Sequence, residues 1–217
     1  PVYGVPFIPG SSLKGVAAHY CSEVLGKGSE EYRAEIVLEK DKKGREHERI
    51  LSCGRAFSEI FGTTADKEDN RRGCIVFHDA WITPDTLHGS LLHDVMTPHH
   101  MAYNGGPGGK DFVPPTDFDD PNPVAFLSVK GSFLLSVSCE DPSERGKKWA
   151  ERALEILLDA IRDWGIGGKT SSGYGRMEER RGETLFGAQG GRSAAQFSGL
   201  KYKKGDNITV IRIDDTN

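Results

Sequence analysis

Gly165-Ile166-Gly167-Gly168-Lys169-Thr170-Ser171-Ser172-Gly173-Tyr174-Gly175-Arg176 packs five glycines into twelve residues and follows a segment of strict helical periodicity. In that segment Trp149, Ala153, Leu157, Ile161 and Trp164 recur every three or four positions, with Ala150, Leu154 and Leu158 widening the apolar face. Glu151, Arg152, Glu155, Asp159, Arg162 and Asp163 fill the other side. The pattern predicts an amphipathic helix stopped by Gly165, a glycine loop, and a strand near Gly173–Arg181. Glycines let backbone N–H groups come close to a ligand, and Lys169, Arg176 and three hydroxyls stand among them. That is phosphate-binding chemistry. Gly168-Lys169-Thr170 imitates the end of a P-loop, but Asp163 stands where that motif needs its first glycine. A P-loop also opens a helix, whereas this loop ends one. A nucleic-acid backbone therefore fits better than a nucleotide, with a purely architectural turn as the bland alternative.

A second motif lies near the start, Pro6-Phe7-Ile8-Pro9-Gly10-Ser11-Ser12-Leu13-Lys14-Gly15. Leu13, Val16, Ala17, Tyr20, Val24 and Leu25 form an apolar stripe that predicts a helix over Ser11–Leu25, with Ser11 or Ser12 as N-cap. Unpaired N–H groups and the positive dipole end at Gly10 to Ser12 would suit an anion, and Lys14 adds a full charge. The bland reading is a capped core helix with a solvated lysine.

The 217 residues suit one enlarged domain, and 27 glycines imply that loops carry much of it. A net charge of −4 excludes a protein that coats nucleic acid by bulk electrostatics. The charge is unevenly spread. Residues 165–204 hold eight Lys/Arg against three Glu, while Asp111 to Pro123 carries four Asp and no base. Cys21, Cys53, Cys74 and Cys139 are dispersed, so neither a disulfide framework nor a zinc site is expected, and reduced thiols in a cytoplasm are. No membrane span or signal peptide is readable.

The remaining elements mix helix and strand, an α+β class. Gly26 to Ile50 is a charged insertion, a hairpin or short helix at the periphery. A short helix is predicted near Arg55–Phe61, β structure at Cys74–Ile82, and a further strand at Ala125–Cys139, where Phe133, Leu135, Val137 and Cys139 alternate with Leu134, Ser136 and Ser138. Asn104 to Pro123 holds four Gly and five Pro, a long insertion that is either functional or floppy. Residues 196–217 form a C-terminal strand extension in which Leu200–Lys203 and Asn207–Ile213 read as a β-hairpin around Lys204-Gly205-Asp206.

These motifs resemble the RAMP superfamily, the ferredoxin-like (RRM-like) RNA-binding proteins of CRISPR systems. The first motif is similar to that family's "IPGSSLKG" segment and Gly165–Arg176 to its C-terminal glycine-rich loop. Phe57-Ser58-Glu59-Ile60-Phe61-Gly62 and Gly73-Cys74-Ile75-Val76-Phe77-His78-Asp79-Ala80 resemble two blocks between them. Asp94-Val95-Met96-Thr97-Pro98-His99-His100-Met101-Ala102-Tyr103 resembles type III-B effector subunits. The resemblance implies a single RAMP domain over 1–217, insertions at 26–50 and 104–123, and a further strand before Pro1. It implies a non-catalytic subunit without cofactor or metal, on no membrane, that contacts guide (crRNA) and target RNA and neighbouring RAMP subunits. The expected RNA-binding residues are Gly10, Ser11, Ser12, Lys14, His99, His100, Gly167, Gly168, Lys169, Thr170, Ser171, Ser172, Tyr174 and Arg176, near the guide's 3′ end.

His93, His99 and His100, with Asp94 and Asp79, could be drawn as metal ligands or an acid/base set. Their spacing matches no metal motif, and Pro98 speaks against an i, i+4 zinc pair. The alternatives to the binding reading are a metal-independent endoribonuclease using a histidine with Lys169, and a protein-only scaffold.

Overall fold

In the computed structural model the described residues are 4–40, 45–63, 71–97, 114, 116–118, 121–179 and 207–215. Pro6 and Pro9 confine the first strand, β1, to Phe7–Ile8, and the chain turns directly into helix α1, Gly10–Tyr20. A π-helical turn, Cys21–Leu25, and a short α2, Gly26–Gly28, prolong it. The helix therefore starts one residue earlier than expected. Pro9 holds the N-cap position and no side chain of Ser11 or Ser12 caps it. The predicted peripheral insertion is a hairpin, β2 (Ala34–Lys40) with β3 (Glu46–Cys53). Helix α3 is Arg55–Phe61, followed by the two-residue pair β4 (Gly62–Thr63) and β5 (Arg71–Arg72).

Cys74–Ile82 forms two strands, β6 (Ile75–Phe77) and β7 (Ala80–Ile82), broken at His78-Asp79. A single turn, α4 (Pro84–Leu87), precedes β8 (Leu91–Met96). The strand expected over Ala125–Cys139 is two strands in different sheets: β9 (Val124–Val129) pairs with β8, and β10 (Ser132–Cys139) lies in the main sheet. Gly131 stands at the break, where a Cβ would crowd Ile82. Helix α5, Glu144–Trp164, is the predicted amphipathic helix; Ser143 caps its start and Gly165, at φ 76°, stops it. Two strands follow, β11 (Met177–Glu179) and β12 (Asn207–Asp215).

The main sheet is antiparallel, in the order β1-β7-β10-β12-β11, with β6 also on β10. The last strand enters the middle: β12 pairs with β10 from Ser132↔Asp214 to Cys139↔Asn207, and β11 lies on its other side. The Leu200–Lys203 partner expected for it lies outside the described residues, as does most of 104–123. Helices α1 and α5 pack on each other and on the sheet. The core is Leu13, Ala17 and Tyr20 of α1, Phe57 and Ile60 of α3, Phe133, Leu135, Val137 and Cys139 of β10, and Ile156, Leu157 and Ile161 of α5. The predicted alternation of β10 puts its apolar set inward, but Ser132, Ser136 and Ser138 are buried as well. Among the described residues no helix is long and apolar enough to cross a membrane.

Two contacts lock α1 in place. The Tyr20 hydroxyl donates to Asp163 Oδ2 at 2.7 Å, and Trp164 meets the Tyr20 ring edge-on at 5.1 Å. Burial first, and the Asp163 carboxylate second, push the Tyr20 phenol up to about 12. A raised phenol pKa means full stabilisation below the unfolded value near 10, and loss as pH climbs through the folded value. Tyr20→Phe should cost about 1 kcal/mol at neutral pH, and its deficit against the parent should shrink above pH 10. Denaturant unfolding at a series of pH values reads both. A deficit that stays constant to pH 12 would refute the linkage.

Candidate nucleic-acid interface

Gly10 begins α1 where that helix touches the β6–β7 bend. A Cβ there would overlap the Phe77 carbonyl oxygen, so only glycine fits. The Gly10 N–H donates to Asp79 Oδ1 at 2.7 Å. The carboxylate of Asp79 thus sits at the positive end of α1, a favourable placement for a negative charge. The anion site expected at Gly10 to Ser12 is, at its first N–H, filled from within, and Gly10 is an architectural residue.

The glycine loop is closed by its own backbone. The Ile166 N–H donates to the Gly175 carbonyl at 2.8 Å, directly after the Gly165 stop. A Cβ on Gly175, whose φ is +71°, would overlap the Ile166 carbonyl oxygen. Inside this closure a 3₁₀ turn, Thr170–Ser172, is held by Ser172 N–H and Tyr174 N–H donating to the Lys169 carbonyl at 2.9 and 3.3 Å. Lys169 itself takes the left-handed conformation, φ 62°, which is costly for a side chain with a Cβ. Gly168, in contrast, is not among the positive-φ glycines, whereas Gly167 is, at φ 95°. Both are exposed, and among the described residues their N–H groups have no hydrogen-bond partner.

Between the two motifs lies a cavity of about 850 Å³. Ser12 and Val16 line it from α1, Phe7 and Ile8 from β1, and Gly165 to Thr170 with Tyr174 from the loop. The fold therefore brings Ser12, Gly167, Gly168, Lys169, Thr170 and Tyr174 to one place. It does not bring Lys14, which is exposed off the cavity rim. Partial desolvation, with the Arg72 guanidinium second, holds the Lys14 ammonium below the usual lysine range. Gly10 is buried; Ser11, Ser171, Ser172 and Arg176 are exposed beyond the lining. His99 and His100 lie outside the described residues.

The fourth wall is the β8–β9 ribbon, which supplies Phe126 to Val129. Lys169 Nζ stands 3.9 Å from the Phe126 ring centroid and 2.8 Å from Met96 Sδ. Tyr174 packs edge-on against Phe126 at 5.6 Å, and its hydroxyl donates to Asp94 Oδ2. That bond, then the Val95 N–H and the Lys169 charge, hold the Asp94 carboxyl below the usual range, while the same bond raises the Tyr174 phenol. Phe126 and Met96 are site residues that the sequence does not single out, and Asp94, considered there only for catalysis, instead holds Tyr174. The signal was a fifteen-residue apolar run, Ala125–Cys139, interrupted by Lys130-Gly131 and too long for an ordinary strand.

The acidic members of the suspected catalytic set have other partners. Asp79 caps α1 and Asp94 meets Tyr174, and among the described residues no group of three His, Cys, Asp or Glu could hold a metal. All four cysteines are free thiols. Among the described residues, the chemistry left in the cavity is that of two N–H groups without a partner, one half-buried ammonium, the hydroxyls of Ser12, Ser128 and Thr170, and aromatic faces.

The family model of the RAMP superfamily matches residues 1–178. The CRISPR system Cmr subunit Cmr6 of Pyrococcus furiosus is 35% identical over 207 residues, covering 82% of this chain and 59% of that protein. The chain thus spans about three-fifths of the length of the curated relative it matches. The crystal structure of Cmr6 from Pyrococcus furiosus is similar at a TM-score of 0.45 and 28% identity, over 80% of this chain and 82% of that one.

The loop glycines have different jobs, which stability measurements can separate. Gly175→Ala should cost about 2 kcal/mol or more, through overlap and left-handed strain. A Cβ at Gly168 would meet nothing within 4 Å, so Gly168→Ala should stay within about 0.5 kcal/mol of the parent. Thermal and urea unfolding of the two variants decide it; equal losses would show that the loop is not closed as described.

Proposed function

The chain belongs to the RAMP superfamily, and from that premise we propose that it is a non-catalytic RNA-binding subunit of a type III-B CRISPR effector complex. It grips the sugar-phosphate backbone of the guide RNA near its 3′ end. The observation that carries this reading is the convergence of Ser12 with Gly167, Gly168, Lys169 and Tyr174 on one cavity. Two N–H groups without a partner among the described residues, next in sequence to Lys169, suit a phosphate, and they carry no base information. A guide-binding subunit has to accept every spacer sequence, so backbone contact is the appropriate chemistry. The likeness to Cmr6 supplies the choice of complex. Neighbouring RAMP subunits and the target RNA are its further partners under this reading.

We read the main sheet as ferredoxin-like. Such a domain runs βαββαβ, with its first strand between the third and fourth. Here β7, β10 and β11 take the second, third and fourth places, α1 and α5 cover one face, and β12 lies in the first strand's slot between β10 and β11. The reading assigns no catalytic residue, since Asp79 and Asp94 are spent on Gly10 and Tyr174.

Lys169→Ala with Arg176→Ala should weaken binding of single-stranded RNA about equally for unrelated sequences. If both reach phosphates, the slope of log affinity against log salt should flatten by roughly 0.7 per lost contact. Fluorescence anisotropy at several salt concentrations, with two RNAs of different sequence, reads both quantities. Unchanged affinity and slope would make the loop structural. RNA cleavage by the chain that His99→Ala reduces by about a hundredfold or more would favour the endoribonuclease instead.

A further inference from the structure

The β8–β9 ribbon forms a two-stranded sheet apart from the main one. It is anchored at its base, where the Lys130 N–H donates to the Ser90 carbonyl at 2.8 Å and the Ser132 N–H to Thr86 Oγ1 at 3.0 Å. Gly89, at φ +75° with open space around it, leads into it. Its far end lies over the glycine loop. Along the ribbon only Asp94, Phe126 and Ser128 are half-buried; Leu91, Leu92, Val95, Leu127 and Val129 are exposed. Two of those three, Asp94 and Phe126, touch the loop, joined by the exposed Met96.

The partners are mismatched to the groups they hold. An ammonium over a ring face and beside a thioether is weakly bound, since sulfur is a poor acceptor and an exposed cation–π contact is worth about 0.5–1 kcal/mol. A phosphate oxygen would bind the same ammonium by a charge-assisted hydrogen bond, roughly twice as strong as a neutral one. The Tyr174 hydroxyl, useful to a nucleotide as a donor, is spent on Asp94, and the Asp94 carboxylate itself repels any phosphate approaching Lys169.

We propose that the β8–β9 ribbon is a latch on the RNA cavity, with Asp94 as its catch and Phe126 and Met96 as stand-ins for the ligand at Lys169. The proposal rests on the RNA-binding reading above. Without RNA the ribbon covers Lys169 and Tyr174. An entering sugar-phosphate chain takes Lys169, the carboxylate is expelled by its charge, and the far end lifts about the anchored base. The fraction of open chain then sets the apparent affinity, so loosening the catch tightens binding.

Two spin labels on the full chain, at Val95→Cys on the ribbon and Glu178→Cys on β11 with the half-buried Cys53 and Cys74 replaced by serine, report the ribbon position by electron–electron double resonance. Adding a single-stranded oligouridylate should shift the distance distribution outward. Adding Asp94→Ala should do the same without RNA. In the unlabelled protein Asp94→Ala should bind the oligouridylate about fivefold more tightly, the equivalent of one net hydrogen bond. Glu178→Ala removes the same charge away from the ribbon and should change affinity less than twofold. RNA binding with an unmoved ribbon overturns the latch, as does an unmoved ribbon in Asp94→Ala. Equal effects of the two charge removals also overturn it. Absence of RNA binding by anisotropy would instead sink the RNA reading, while the Asp94→Ala distance still decides whether the contact is a catch.

Discussion

The hydrogen bond from the Ile166 N–H to the Gly175 carbonyl, 2.8 Å long, is the constraint on which the site depends. It ties the two ends of the glycine loop together immediately after α5 stops. Gly175 can accept that approach only without a Cβ, and Gly165 and Gly173 make the turns into and out of the loop at φ 76° and 95°. Once the ends are pinned, Lys169 is forced into the left-handed region and its ammonium is directed at the ribbon. Helix α5 provides the rigid base. Its buried face, from Ala150 to Ile161, packs on α1 and the sheet, so the loop's position is inherited from the core.

The electrostatics of the cavity are local. The whole chain carries −4, and a Debye length of about 8 Å at physiological salt screens distant charges from one another. What a ligand would meet in the cavity is Lys169 against largely apolar walls, with Asp94 opposing it. Attraction from Lys169 is strongest for a ligand that excludes water from those walls, as a nucleotide with its base and sugar does. A free inorganic anion would leave the aromatic and aliphatic lining, Phe7, Ile8, Phe126 and Phe133 among it, uncovered.

The helix and the loop were legible because their signals are local. Trp149 to Trp164 repeats at the helical period, and a run of glycines with lysine and hydroxyls marks close backbone approach. The β-strand ending Phe133-to-Cys139 was legible for the same reason. Gly10 was misread, since a glycine at a helix start looks the same whether its N–H awaits a ligand or, as here, serves Asp79 sixty-nine residues away. The ribbon was lost to a similar limit. Ala125–Val129 and Phe133–Cys139 are both apolar and β-prone, and nothing local tells that they belong to different sheets. Ribbon and loop then meet through tertiary pairs, Asp94 with Tyr174 and Lys169 with Phe126, separated by eighty and forty-three residues. No periodicity reports such a pairing. Likewise, β12 reads as a strand from Ile208-Thr209-Val210-Ile211, but its place between β10 and β11 does not follow from its own residues.

Photo-crosslinking tests the central assignment most directly. The full chain would be irradiated with single-stranded RNA carrying 4-thiouridine at successive positions, and the modified peptides identified by mass spectrometry. RNA held in the cavity predicts adducts on the two segments that line it and stay in place, 7–16 and 164–177, irrespective of the RNA sequence. Adducts confined to other surfaces, with these two segments unmodified, would contradict the placement of RNA between the first helix and the glycine loop.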